Sequence, residues 1–269
     1  MNYKSYITLF KIRLILGLQY RIAAWAGLAT QFAWGFLNIM LFYAFYSENP
    51  ANFPMSFEQF AAYIWLQQAL LMLFSTWYFD GNIFDEIMSG HIAYELARPV
   101  DLYNMWLVRN MATKISGVAL RCAPILIVAF LLPGPFGLIL PNNILAFILF
   151  IISTVLASVL VSAYYMYYYI IAFYTINSAG IRMVGSALSL FLSGHIIPLP
   201  FFPAAILKFV NILPFAYMQN VPLFIYSGYI DTREAMFGII LQIFWIIIFY
   251  ITGYILMRNA LKKVVIQGG

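Results

Sequence analysis

An all-α polytopic membrane protein is the fold class this sequence predicts, and three observations predict it. Of 269 residues, 64% are hydrophobic and 9% charged, with a mean hydropathy of +0.90. The apolar residues gather into continuous runs, close to the ~20 that a helix needs to cross ~30 Å of hydrocarbon, rather than into the alternating segments of a barrel. The charges fall almost entirely in the gaps between those runs.

Taken in order, the chain opens with Lys4, Lys11, Arg13 and Arg21 interleaved with Ile7, Phe10, Leu14, Ile15 and Leu18. Lys4, Thr8 and Lys11 recur at helical spacing, so residues 1–21 are expected to form an amphipathic interfacial helix with its basic side on the headgroup phosphates. An irregular lead-in to the first span is the plainer alternative. No small-residue cleavage site follows a compact apolar core, and no signal peptide is expected. Six spans follow, at residues 22–46, 60–79, 115–132, 144–173, 183–197 and 236–256, the fifth being the shortest.

With the amino terminus inside, these spans put eleven basic residues in the cytoplasm (Lys4, Lys11, Arg13, Arg21, Arg98, Arg109, Lys114, Arg182, Arg258, Lys262 and Lys263) and two, Lys208 and Arg233, outside. Arg121 lies within a span. This asymmetry obeys the positive-inside rule, so the formal charge of +5 is topological. It does not point to nucleic acid, which would need a basic face outside the membrane. The single Cys122 sits in the third run, so no internal disulfide forms and no cysteine cluster offers a metal site.

The outer loops are short and turn-rich, except for residues 194–229, where Pro198, Pro200, Pro203, Pro214 and Pro222 cut a strongly apolar stretch. Helical fragments of that length cannot cross, and their apolarity argues against a solvated loop, so an outer-leaflet re-entrant helical hairpin is expected. Tyr164, Tyr165, Tyr167, Tyr168, Tyr169 and Tyr174 cluster at the cytoplasmic end of the fourth span. They read first as an interfacial aromatic belt, with Tyr164 and Tyr168 as candidates for the inner entrance of a substrate path. Ser153, Ala157, Ser158 and Ser162 on the fourth span, and Gly185, Ser186, Ser189 and Ser193 on the fifth, predict close helix contacts.

Catalytic chemistry is missing. The two histidines, His91 and His195, fall on opposite sides of the bilayer, no phosphate loop occurs, and no acid lies at membrane depth to couple protons or sodium. Arg121 is the one charge at depth. It either bonds backbone, water or lipid within the bundle, or meets an anionic group of a substrate or a neighbouring subunit.

Residues 80–110 read as helix, break, helix: Ile83, Ile87 and Ile92 alternate with Asp85, Glu86, Ser89 and Gly90, and Arg98-Pro99 interrupts before a restart. A short helix carrying both signs of charge suits docking, whereas a plain connector between adjacent helices is usually a few residues long. Residues 87–100, IMSGHIAYELARPV, resemble the G-x-I/L … L-x-K/R-P segment of permeases of the type-2, drug- and polysaccharide-exporter class of ABC transporters. Residues 191–203, FLSGHIIPLPFFP, followed by Leu213-Pro214-Phe215 and Pro222, are similar to that class's S-G-x-x-x-P-x-x-x-x-P … L-P-F region. His195 departs from the small or apolar residue expected after Ser-Gly.

The resemblance covers essentially the whole chain as a single permease domain, 1–269. It implies a membrane subunit that pairs with a second permease, identical or related, and with two copies of a separate cytoplasmic ABC ATPase. ATP and Mg would be held by that ATPase, and no cofactor by this chain. Asp85, Glu86, Gly90, His91, Glu95, Arg98 and Pro99 would form the coupling helix region, and the hairpin bearing His195, Pro198, Pro203 and Pro214 would cap the exit. The cargo expected from 25 Phe, 20 Tyr and 6 Trp is amphiphilic or apolar: a peptide antibiotic, a drug or a lipid. The location implied is the cytoplasmic membrane of a prokaryote, with both termini inside. A channel or secondary carrier, and a non-transporting scaffold or immunity protein, are the rival classes.

Overall fold

The computed structural model describes residues 3–19, 21–175 and 177–263, and at 21–23 the backbone alone. The basic side chain of Arg21 and the first residue of the first apolar run, Ile22, therefore lie outside the described residues. Among those described there is no strand. The helices are α1 (Tyr3–Gln19), α2 (Arg21–Glu48), α3 (Phe57–Ala69), α4 (Leu71–Phe74), α5 (Gly81–Met88), α6 (Ile92–Leu96), α7 (Leu102–Ala119), α8 (Cys122–Leu131), α9 (Ile144–Ala172), α10 (Ala179–Leu192), α11 (Ala204–Val210), α12 (Asn220–Ser227) and α13 (Thr232–Leu261).

Among the described residues four helices are long and apolar enough to cross a membrane: Ala24–Glu48, Leu102–Leu131, Ile144–Ala172 and Thr232–Leu261. The second of these joins α7 and α8 across Leu120–Arg121, and the second and fifth expected spans are not among the four. The run 60–79 is not one helix, because α3 ends at Ala69, Leu70 sits at φ −101°, ψ 11°, and α4 adds one turn before Ser75 leaves the helix. The fifth run is 14 residues of helix that begin at Ala179 and stop where Gly194 turns to φ +73°. The third span starts earlier than read, since Asp101 caps α7 by accepting from the Asn104 N–H at 2.9 Å. Residues 102–110, assigned to the cytoplasmic segment, therefore belong to α7.

The packing explains these boundaries. A capping box between Ser56 and Gln59 starts α3, and eleven of its thirteen residues are buried, so it is the hub of the bundle rather than a lipid-facing span. α2 presents Leu28, Gln31, Ile39 and Phe42 to it, part of the i+3/i+4 stripe of a helix packed on one side. Trp65 of α3 donates its indole N–H to the Phe136 carbonyl at 2.8 Å. α9 and α13 pair along their length through a polar contact that lipid rewards: Ser153 donates to Gln242 Oε1 at 2.9 Å, and Gln242 donates to the Tyr217 carbonyl at 3.0 Å. α1 lies along α7.

Between α10 and α13 the chain doubles back. Phe201 packs on Phe53 and Phe60, with centroids 4.9 and 5.8 Å away, at the end of the bundle where α3 begins. Phe215 instead meets Tyr164 at 5.4 Å. Tyr164 lies twenty residues, about 30 Å by helical rise, along α9 from Ile144. α12 then returns to Gly228, whose carbonyl accepts from Gln59 at 3.0 Å. The two legs, α11 and α12, have 7 and 8 residues.

Gly194 makes this turn possible. An added Cβ would fall 2.9 Å from Leu199 Cγ and 3.0 Å from the Leu199 backbone nitrogen, on a backbone already at φ +73°. Gly194→Ala should therefore lower stability by about 1–3 kcal/mol, read as an earlier thermal transition in detergent. An unchanged transition would show that the turn relaxes freely.

Candidate functional site

The segment between α4 and α7 is anchored from inside and bare outside. Asp80 caps α5 by accepting from the Asn82 N–H at 3.1 Å, Gly90 at φ +74° reverses the chain, and α6 follows. Ile83, Phe84 and Ile92 are 0, 3 and 2% exposed and pin the two short helices to the bundle, with Phe84 4.9 Å from Tyr169 of α9. The outward face carries Asp85, Met88, Ser89, Gly90, His91, Tyr94, Ala97, Arg98 and Pro99, all exposed, with Tyr94 at 75%.

Glu86 and Glu95, grouped with that face in the sequence, turn inward. Glu95 is buried, accepts the Trp106 indole N–H at 3.0 Å and lies 3.6 Å from Arg98. Glu86 meets Arg109 Nη1 at 3.4 Å, while its Oε2 is buried without a partner. Burial outweighs that single contact and holds the Glu86 carboxyl above the usual carboxylate range.

Arg109 is the keystone. Its side chain is 3% exposed and forks onto Asp80, Nε to Oδ2 at 2.6 Å and Nη2 to Oδ1 at 3.1 Å. This fixes the start of α5 to α7. Asp80→Asn should cost about 2–3 kcal/mol, whereas Glu86→Gln, which removes a poorly solvated charge with one long contact, should stay within about 1 kcal/mol. Thermal unfolding of both variants checks the ranking, and a reversed order would contradict it.

The strap leading to α5, residues 75–80, is held on three sides. Tyr165 donates to the Ser75 carbonyl at 2.7 Å and accepts from the Tyr78 N–H at 3.1 Å. Tyr169 accepts from the Asp80 N–H at 3.3 Å and donates to Asn110 at 3.0 Å. Lys114 is buried in α7: it donates to the Ser75 carbonyl at 2.9 Å and lies 4.3 Å from the Tyr165 ring centroid. From α10, Ser189 donates to Thr76 Oγ1 at 2.8 Å and Ser186 to the Thr76 carbonyl at 3.3 Å.

The strap also reaches the doubled-back region. Trp77 packs on the His195 ring at 4.7 Å, and His195 Nδ1 lies 3.3 Å from Gln219 Oε1. Gln219 and Asn220 donate to the Ser193 carbonyl at 3.1 and 2.7 Å. Pro198 and Pro214 are buried and Pro203 is exposed. Tyr164 and Tyr168 share a hydrogen bond of 2.7 Å; Tyr168 is buried, with Phe79 of the strap 4.9 Å from its ring. Arg121 stands apart, at the junction of α7 and α8, against Gly27 of α2.

Arg109, Trp106 and Lys114 were missed as site residues because each reads singly as a juxtamembrane polar group. Their signal was periodic: Trp106, Arg109, Asn110, Thr113 and Lys114 repeat at i+3/i+4, a polar stripe on an otherwise apolar helix. Tyr94 stands in the quoted motif but is uncharged.

No group of His, Cys, Asp and Glu among the described residues could hold a metal ion. The exposed face is carried on an all-helical membrane protein and braced from within. The family model for ABC-2 family transporter protein matches residues 32–268, and the chain belongs to that family of membrane transport components, which work with an ABC ATPase. No curated protein matches the chain.

Proposed function

We propose that this chain is the permease subunit of an ATP-driven exporter, moving an amphiphilic or hydrophobic substrate across the cytoplasmic membrane of a prokaryote. Two copies of a separate cytoplasmic ATPase dock on the face formed by Asp85, Gly90, His91, Tyr94, Arg98 and Pro99, and a second permease completes the path. The observation that carries the reading is the bracing: an exposed, two-signed face is tied through Arg109 and Asp80 to a strap that touches α7, α9, α10 and His195.

ATP with Mg, bound and hydrolysed on the partner, supplies the free energy. This chain's residues carry the displacement. Movement of α5 and α6 pulls the strap through the Arg109 fork, the strap shifts α10 through Thr76, and Trp77 shifts the turn at His195 that caps the exit. Six crossings result if α3 with α4, and α10 with its continuation, each count as one. Both termini then lie in the cytoplasm, and the eleven inner and two outer basic residues satisfy the positive-inside rule.

The test is movement of a fluorescent short-chain phospholipid and of a labelled lipopeptide in vesicles holding permease and ATPase. ATP-dependent movement that stops when the ATPase phosphate-loop lysine is replaced is the expected result. Movement driven by an ion gradient without ATP would make the chain a carrier, and none of either kind a scaffold.

A further inference from the structure

Arg121 carries a charge for which the described residues supply no counterpart. Pro124, in the first turn of α8, has no N–H to give the Leu120 carbonyl, so the long run breaks at Leu120–Arg121. The guanidinium lies against α2 at Gly27, where an added Cβ would fall 2.6 Å from Cζ and 2.8 Å from each terminal nitrogen. Gly27 is a seat for this group. Among the described residues the Arg121 side chain makes no ion pair or hydrogen bond, and its Nε is buried without a partner. One turn along α2, Gln31 is 2% exposed, donates to the Gln68 carbonyl at 3.0 Å and leaves its Oε1 unpaired. Within a membrane, polar atoms in that state cost several kcal/mol.

Among the described residues no acid of this chain pairs with Arg121. All nine acids, Glu48, Glu58, Asp80, Asp85, Glu86, Glu95, Asp101, Asp231 and Glu234, stand at helix ends or in connections. Gly27 lies six residues, about 9 Å, from the start of α2, inside the membrane-length stretch that begins at Ala24. It marks the edge of the buried stripe of α2. On the open side of that edge Thr30, Trp34, Leu37 and Leu41 are exposed, the last three at 56, 54 and 49%.

We propose that the seam between α2 and the α7–α8 junction binds the anionic head of an amphiphile. A phosphate or carboxylate sits on Arg121, and the apolar body lies along Trp34, Leu37 and Leu41. The seam lies on the inner leaflet and serves as an entry site if the exporter reading above holds; binding itself does not depend on that reading.

The experiment is native mass spectrometry of purified protein offered phosphatidylglycerol, phosphatidylcholine or inorganic phosphate alone. Wild type should retain one phosphatidylglycerol under conditions that strip phosphatidylcholine, and inorganic phosphate alone should not be held. Arg121→Leu should lower that occupancy about tenfold, the loss of one charge-assisted contact, and Arg121→Lys should keep most of it. Gly27→Val, which keeps the charge but fills its seat, should also lower occupancy and guards against a folding defect in Arg121→Leu. Equal retention by wild type and Arg121→Leu overturns the site, as does equal retention of both lipids by wild type. A shift from dimer to monomer in Arg121→Leu with lipid retention unchanged would also overturn it, giving Arg121 to the subunit contact. If retention depends on Arg121 but no ATP-dependent transport is found, the site stands and the exporter reading falls. A resident lipid leaves the phosphatidylglycerol adduct unchanged during turnover, whereas a transported one is depleted by ATP.

Discussion

Arg109→Leu is expected to be the most destabilising single substitution in the chain. The guanidinium is 3% exposed and its fork serves Asp80, itself 14% exposed, with Glu86 as a third contact. Removing it leaves two partly buried carboxylates without their cation, a change that costs about 3–5 kcal/mol when one partner of a buried pair is lost. The cost falls where α5 is anchored, so the outward face should loosen along with the bundle. Arg109→Lys keeps the charge but not the fork and should recover only part of the loss. Thermal unfolding in mild detergent reads both. If Arg109→Leu melts within about 1 kcal/mol of wild type, the fork contributes little and the bracing argument fails.

The second large effect is on function rather than stability. Asp85→Arg combined with Tyr94→Ala changes only exposed side chains, so the fold should be unaffected within about 0.5 kcal/mol. Coupling of ATP hydrolysis to transport should nevertheless fall by tenfold or more, about the effect of removing one aromatic anchor and reversing one charge at an interface. Glu86 and Glu95 are unsuitable for this test, because their reversal would break contacts to Arg109 and Trp106 and confuse docking with folding. Wild-type coupling in the double variant would move the docking surface elsewhere.

Much of the architecture was legible because lipid leaves few choices. Continuous apolar runs can only be helices, and a break such as residues 80–101 stands out against them. Pro198 and Pro214 likewise marked a chain that could not continue as one helix. The break at Leu70 was not legible: nothing between Ala69 and Leu71 is a helix breaker, and the interruption belongs to a segment buried on every side, where tertiary contacts decide. The start of α7 was misplaced for a related reason. Arg109, Asn110 and Lys114 look like groups that must stay in water, yet their partners come from Asp80, Tyr169 and the Ser75 carbonyl, between 29 and 59 residues away. Single-residue hydropathy does not see such pairs. The same blindness put Glu86 and Glu95 with Asp85 and Arg98: charge was visible, but which helix face each would occupy depended on the reversal at Gly90.

The central claim is that the Asp85–Pro99 face holds a separate ATPase, and the mass of the assembly tests it most directly. The tagged chain, expressed with its cognate ATPase and purified in mild detergent, should carry two ATPase subunits per pair of permeases, and the Asp85→Arg, Tyr94→Ala variant should run as permease alone. A wild-type particle that contains no ATPase, or a double variant that keeps both ATPase copies, would contradict the account.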